Sequence, residues 1–299
     1  MTAMLSELVN SLADEFTALL ADAEPANDDG EQLIDRLWSS GLLDIPGLVE
    51  LLLRRAQEER IAAGVRAARP AIRTRFVQGL VGDSDAAISA AAMALILARS
   101  RRRDRFDGPR LSFDDLSAEA GAALLNAIAA ALRLDLVRRM DHAEADGRLA
   151  GTASAIMAAH DEGGRIEAKQ FELVHALDVA GRIDEALVLL VLAEGEISLL
   201  AELLARRGGI TFETAWEHLS GDAGQLALLL RMSGFSRELA GEIIATVADI
   251  VGSDAETVIA MFDRLTDAQA ERARKWLRLD PGYRSAVDLL AAGDGKRAV

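Results

Sequence analysis

Four arginines in the segment RSRRRDRF (99–106), namely Arg101, Arg102, Arg103 and Arg105, are the side chains of this sequence best suited to holding a partner. A guanidinium is always charged, and its planar fork bonds carboxylates and phosphates two atoms at a time. The stretch 99–110 carries six arginines (99, 101, 102, 103, 105 and 110) against two acids, Asp104 and Asp107. Successive residues of a helix point about 100° apart, so these arginines cannot all face one carboxylate. The expected role is a ligand- or partner-binding patch for an acidic protein segment or a phosphorylated small molecule. The competing reading is a helix C-terminus rich in cations, favoured by the macrodipole and tied to acids of neighbouring helices. A second basic stretch, 54–75, holds seven arginines against Glu58 and Glu59.

Other chemistries find less support. Of the four histidines, His142, His160, His175 and His218, only His175 sits in a ligand-like spacing, Glu172-x-x-His175. Di-iron bundles need a second such pair and two further glutamates, and no second Glu-x-x-His occurs. No nucleophile elbow, phosphate-loop lysine or zinc-protease motif is present. No catalytic residue, metal ligand or cofactor is assigned. Gly-Arg-Leu or Gly-Arg-Ile recurs at Gly147, Gly164 and Gly181, 17 residues apart. A phosphate cradle would require a strand before the glycine, and no strand pattern precedes any of the three. They are read as left-handed C-caps between stacked helices.

The elements that must position these residues are helical. Ala, Leu, Glu and Arg are good helix formers, and aromatics make up only 4% of a chain that is 51% hydrophobic. The net charge of −15 repels phosphate backbones and argues against bulk nucleic-acid binding. With no cysteine, disulfides and thiolate chemistry are excluded. The N-terminus lacks the basic and apolar regions of a signal peptide. The longest apolar runs, 88–98 and 186–193, are too short to span a bilayer. A cytoplasmic protein is expected.

Along the chain, Leu5, Leu8, Leu12, Phe16 and Leu19 form an apolar stripe that predicts a first helix over 3–21. This helix either covers its own core or pairs with a second copy, and a homodimer is the favoured oligomer. Pro46 starts a longer helix, and Pro70 follows its end. A helical hairpin turning at GDSD (82–85) comes next. Residues 104–117 form the longest irregular stretch, and a long helix over roughly 117–145 follows it. Further helices are expected at 183–193, 196–207, 211–219, 222–233, 236–251, 254–263 and 266–278. The fold class is all-α, a helical-repeat array of antiparallel helix pairs of the α-α superhelix or HEAT-like type. Its parts are an N-terminal helical region (1–107), a loop or seam (108–116), a helical-repeat region (117–290) and a disordered tail (291–299).

The stretch 192–247 carries Gly195-Glu196, then Leu204-Ala205-Arg206-Arg207-Gly208, then Leu219, Leu228, Arg231 and Gly234. With these residues, and with the segment 99–125, the chain resembles the alphaproteobacterial domain-of-unknown-function family 2336. The resemblance implies an α-helical, repeat-like protein and brings no catalytic residues with it.

The function expected is that of a non-enzymatic cytoplasmic scaffold that binds a protein partner or regulates one. A sensor of a small anionic effector, read through the arginine cluster, is the alternative. An enzyme of unrecognised class is the third.

Overall fold

The computed structural model describes residues 2–20, 30–68, 75–101 and 110–297. Among them are sixteen α-helices, three short 3-10 turns and no strand. In chain order the helices are α1 (Thr2–Leu19), α2 (Gly30–Ser39), α3 (Pro46–Ala68), α4 (Phe76–Gly79), α5 (Ala86–Ser100), α6 (Ala118–Leu136), α7 (His142–Ala159) and α8 (Ile166–Val179). They continue with α9 (Glu185–Ala193), α10 (Ile197–Gly208), α11 (Phe212–Leu219), α12 (Ala223–Ser233), α13 (Arg237–Val251), α14 (Ala255–Arg264), α15 (Asp267–Leu277) and α16 (Pro281–Arg297). The all-α expectation holds. The chain divides into two compact units, each made of two stretches.

The first unit comprises Met1–Ala56 and Ala90–Lys169. Its α6 and α7 pack on each other, and α1 and α2 pack on them. The stripe of α1 is buried in this core: Leu5, Leu8, Leu12 and Phe16 are each at most 4% exposed, while Leu19 is exposed. Of the two roles expected for the stripe, the first is seen here: it covers the core of its own unit. The single helix expected over 117–145 is two helices. The chain leaves α6 after Leu136 and re-enters a helix at His142, where the Asp141 side chain accepts from the Ala143 amide. Neither Gly nor Pro marks this break. Leu136 and Ala145 are buried on either side of it, so the turn is set by packing.

The second unit comprises Gln57–Ser89 and Gln170–Val299. Helix α12 packs against α10, α11, α13, α14 and α15, and α9 packs against both α10 and α13. Local signals place these helices. Asp184, Thr211, Asp222, Ser236, Asp254 and Thr266 each accept a first-turn amide as N-cap. Arg274 on α15 donates to the Gly208 carbonyl at the end of α10 and to the Met232 carbonyl near the end of α12, both at 2.7 Å. One cation thus satisfies two helix C-termini.

The glycine series separates in the structure. Gly181 has φ +67° and ends its helix in the left-handed conformation, as expected. Gly147 lies inside α7, and Gly164 lies in the 3-10 turn Glu162–Gly164. Neither has positive φ. The recurrence of 17 residues is therefore not one structural device repeated three times.

Candidate functional site

Of the four arginines expected to form a site, Arg102, Arg103 and Arg105 lie outside the described residues. Arg101 follows the last turn of α5 and is about half exposed. Its Nη1 lies 3.3 Å from Oδ2 of Asp114, while Oδ1 of Asp114 accepts from the Asp161 amide at 3.1 Å. This described member of the cluster is thus an intramolecular tie.

The segment that Arg101 reaches is held firmly within the first unit. Leu111 and Leu116 are buried, and Ser112 and Asp115 form a reciprocal capping box around the 3-10 turn Phe113–Asp115. Nε2 of His160 bonds the Leu116 carbonyl at 3.2 Å, and its ring meets Phe113 edge-on. Beneath them is a buried ionic cluster. Nη1 of Arg55 lies 2.7 Å and Nη2 of Arg54 3.1 Å from Oε1 of Glu167, and Nη2 of Arg55 lies 3.5 Å from Asp115. Burial pushes the Asp115 carboxyl above its ordinary range against the pull of Arg55. Burial works the same way on Glu167, but Arg55 and Arg54 outweigh it and hold that carboxyl low. These contacts join α3 to the 3-10 turn Phe113–Asp115 and to the start of α8.

The other histidines have local partners as well. Nδ1 of His175 accepts from Arg206 at 3.3 Å, and its ring stacks on Phe171. His218 is buried and donates from Nδ1 to the Thr214 carbonyl at 2.9 Å; burial holds its pKa below the ordinary histidine value. Among the described residues, no three His, Asp or Glu side chains gather as a metal site requires.

The arrangement with binding capacity lies elsewhere, in the second unit. A groove of about 870 Å³ runs between α9 and α13, within the size range of ligand and peptide sites. One wall is Ala186, Leu189, Leu190 and Ala193 of α9, and Leu239 and Gly241 of α13 contribute to the other. The α9 residues fall at i, i+3, i+4 and i+7, one continuous helical face. Helix α9 reads EALVLLVLA, with no polar residue after Glu185. Leu187, Val188, Val191, Leu192 and Ala193 are buried, whereas Leu189 and Leu190 are only half-buried and Ala186 is exposed.

The polar groups of the groove are Glu185, Arg237, Glu238 and Glu242. The carboxylate of Glu185 accepts from the Ser236 amide (2.7 Å) and hydroxyl (2.9 Å), which fixes the start of α13 against α9. Arg237 makes two parallel bonds of 2.8 Å to Asp263, so its charge is matched by that partner. Three carboxylates therefore border an apolar surface. The sequence carries a signal for this groove: a helix apolar on every side must be covered on every side or leave one face for a partner. By length alone, the run 186–193 is an apolar stretch too short to span a bilayer. Among the described residues, no helix is long and apolar enough to cross a membrane.

No curated protein and no solved structure matches the chain. A family model does match, over residues 39–275: that of the uncharacterised proteins conserved in bacteria, DUF2336. With most of its length matched, and in line with the resemblance noted at Gly195-Glu196 and Leu204 to Gly208, the chain belongs to the DUF2336 family.

Proposed function

We propose that this protein is a non-enzymatic cytoplasmic scaffold that docks a protein partner in the α9–α13 groove. The observation that carries the reading is the half-covered apolar face of α9, set beside the small residue Gly241 and bordered by carboxylates. Polar groups at the rim over an apolar wall suit a docked helix, whereas a small-molecule or catalytic pocket directs several polar groups at one point. The serial packing of α10, α12 and α14 supports a HEAT-like helical-repeat arrangement of this region.

A photo-crosslinking amino acid in place of Leu189, in the full chain within its host cell, tests this reading. A discrete protein adduct is expected from position 189 and not from Glu15 on α1. Adducts of equal yield from both positions, or none from position 189, would count against it.

A further inference from the structure

A second surface is built from other helices than the groove. We propose that the outer face of α15 binds an acidic segment of a protein partner, through Arg272 and Lys275 with the rings of Trp276 and Tyr283 beside them.

Helix α15 reads DAQAERARKWL, and its Ala270 and Leu277 are buried in one cluster with Met232 of α12. Its charges divide by face. Asp267 pairs with Arg231 of α12 at 2.8 Å, and Glu271 pairs with Arg274, the residue that also serves the ends of α10 and α12. Both acids of the helix are thereby matched. Arg272 and Lys275 point the other way and are exposed, and among the described residues neither has an ion pair or a hydrogen bond. They stand one turn apart, roughly 5–6 Å between Cβ atoms. Arg278 at the C-cap is exposed as well; its Nε donates to the Gly209 carbonyl at 2.7 Å, and no carboxylate among the described residues matches its charge. The acid that follows, Asp280, accepts from the Tyr283 amide at 2.9 Å and faces the start of α16.

Unmatched cations select carboxylates or phosphates, and the aromatic pair narrows the choice. Trp276 lies one turn beyond Arg272 and packs on the buried cluster of α15, so its ring is held in place. Its centroid is 6.4 Å from that of Tyr283, which is 57% exposed, and Leu279 is exposed next to them in sequence. Trp, Tyr and Arg are the side chains enriched where protein interfaces concentrate their binding energy. An apolar side chain on these rings, with carboxylates to either side reaching Arg272 and Lys275, fits the surface. A nucleic acid fits less well, because a net charge of −15 repels a long polyanion. A short acidic segment escapes most of that repulsion, since at 0.15 M salt a charge is screened over about 8 Å and the segment senses the cations it touches.

The test uses the full-length protein and three fluorescein-labelled probes. One is a short peptide in which Glu and Asp flank a single Phe; the second replaces those acids by Gln and Asn; the third is a single-stranded oligouridylate of similar length. Fluorescence anisotropy near physiological salt reads binding. The acidic peptide should bind at micromolar concentration, and the amide peptide and the oligouridylate at least tenfold more weakly. The double variant Arg272→Glu/Lys275→Glu should weaken acidic-peptide binding at least tenfold, and Tyr283→Ala at least threefold. The control Arg60→Glu/Arg138→Glu changes the net charge equally and should leave binding within twofold. All five side chains are exposed, so circular dichroism should show the parent's helix content in every variant. Equal loss in both double variants would reduce the attraction to overall charge and overturn the proposal. Amide-peptide binding as tight as that of the acidic peptide, or tighter binding of oligouridylate, would overturn the acidic protein segment as the occupant. Failure of the acidic peptide to bind would overturn the proposal outright, while the crosslink at position 189 remains the separate measure of the groove.

Discussion

The guanidinium of Arg55 and the carboxylate of Glu167 meet at 2.7 Å with both side chains largely buried, which ties α3 to the start of α8. Breaking a buried pair by removing one partner typically costs about 3–5 kcal/mol, and here Arg54 stays 3.1 Å from Glu167 and offsets part of that loss. Arg55→Met should therefore lower the unfolding free energy by roughly 3 kcal/mol. A denaturant series checks this, and a loss below about 1 kcal/mol would show that the cluster relaxes to admit water.

Gly181 and Gly147 begin the same tripeptide pattern, yet alanine should act on them in opposite directions. At Gly181, φ is +67°, and a Cβ is disfavoured there by about 1 kcal/mol. At Gly147, inside α7, a Cβ would meet nothing within 4 Å, and Ala gains up to about 1 kcal/mol of helix propensity. Thermal unfolding should show Gly181→Ala melting lower and Gly147→Ala melting higher than the parent. Shifts of the same sign would contradict these backbone assignments.

The contrast between those glycines shows what a sequence can disclose here. Helices α9 to α15 are predicted within a residue or two because their ends are local chemistry: Asp184, Thr211, Asp222 and Ser236 each accept from an amide three residues on. The break between α6 and α7 carries no such mark beyond Asp141, because it is set by what packs around Leu136 and Ala145. Gly147 and Gly164 share a motif with Gly181 but not its backbone, since three residues do not determine where a helix ends. The competing account of the arginine cluster looked to acids of neighbouring helices, whereas Arg101 meets Asp114 in the 3-10 turn Phe113–Asp115. That α9 is apolar on every side is legible in the sequence, but which of its faces stays uncovered is not, because that depends on how α9 packs against α10 and α13.

Arg274 joins the ends of α10 and α12 through bonds to the Gly208 and Met232 carbonyls. Hydrogen bonds from a charged donor contribute about 1.5–3 kcal/mol each. Arg274→Ala should cost roughly 3 kcal/mol, and Arg274→Lys should recover less than half, because one ammonium cannot reproduce the fork. Chemical denaturation of the two variants checks this. Full recovery by lysine would mean that charge alone, not geometry, serves these helix ends.

His218 predicts a pH dependence of defined sign. Burial keeps its folded pKa below the ordinary value of 6.5, so below that pH the unfolded chain binds the proton more readily than the native one. Its contribution is therefore constant above about 6.5 and destabilising as pH falls from there toward the folded pKa. Between about pH 7 and 5, unfolding free energies of the parent should fall more steeply than those of His218→Gln. Parallel curves would show that this histidine does not titrate differently on unfolding.

The central claim, that the α9–α13 groove is where a partner docks, is tested most directly by hydrogen–deuterium exchange of the full-length protein alone and in complex with the protein captured through position 189. Exchange should slow in peptides covering Glu185–Ala193 and Arg237–Glu242, with little change in α1, α6 or α7. Protection spread over the acidic surface, or confined to helices outside the groove, would contradict the account.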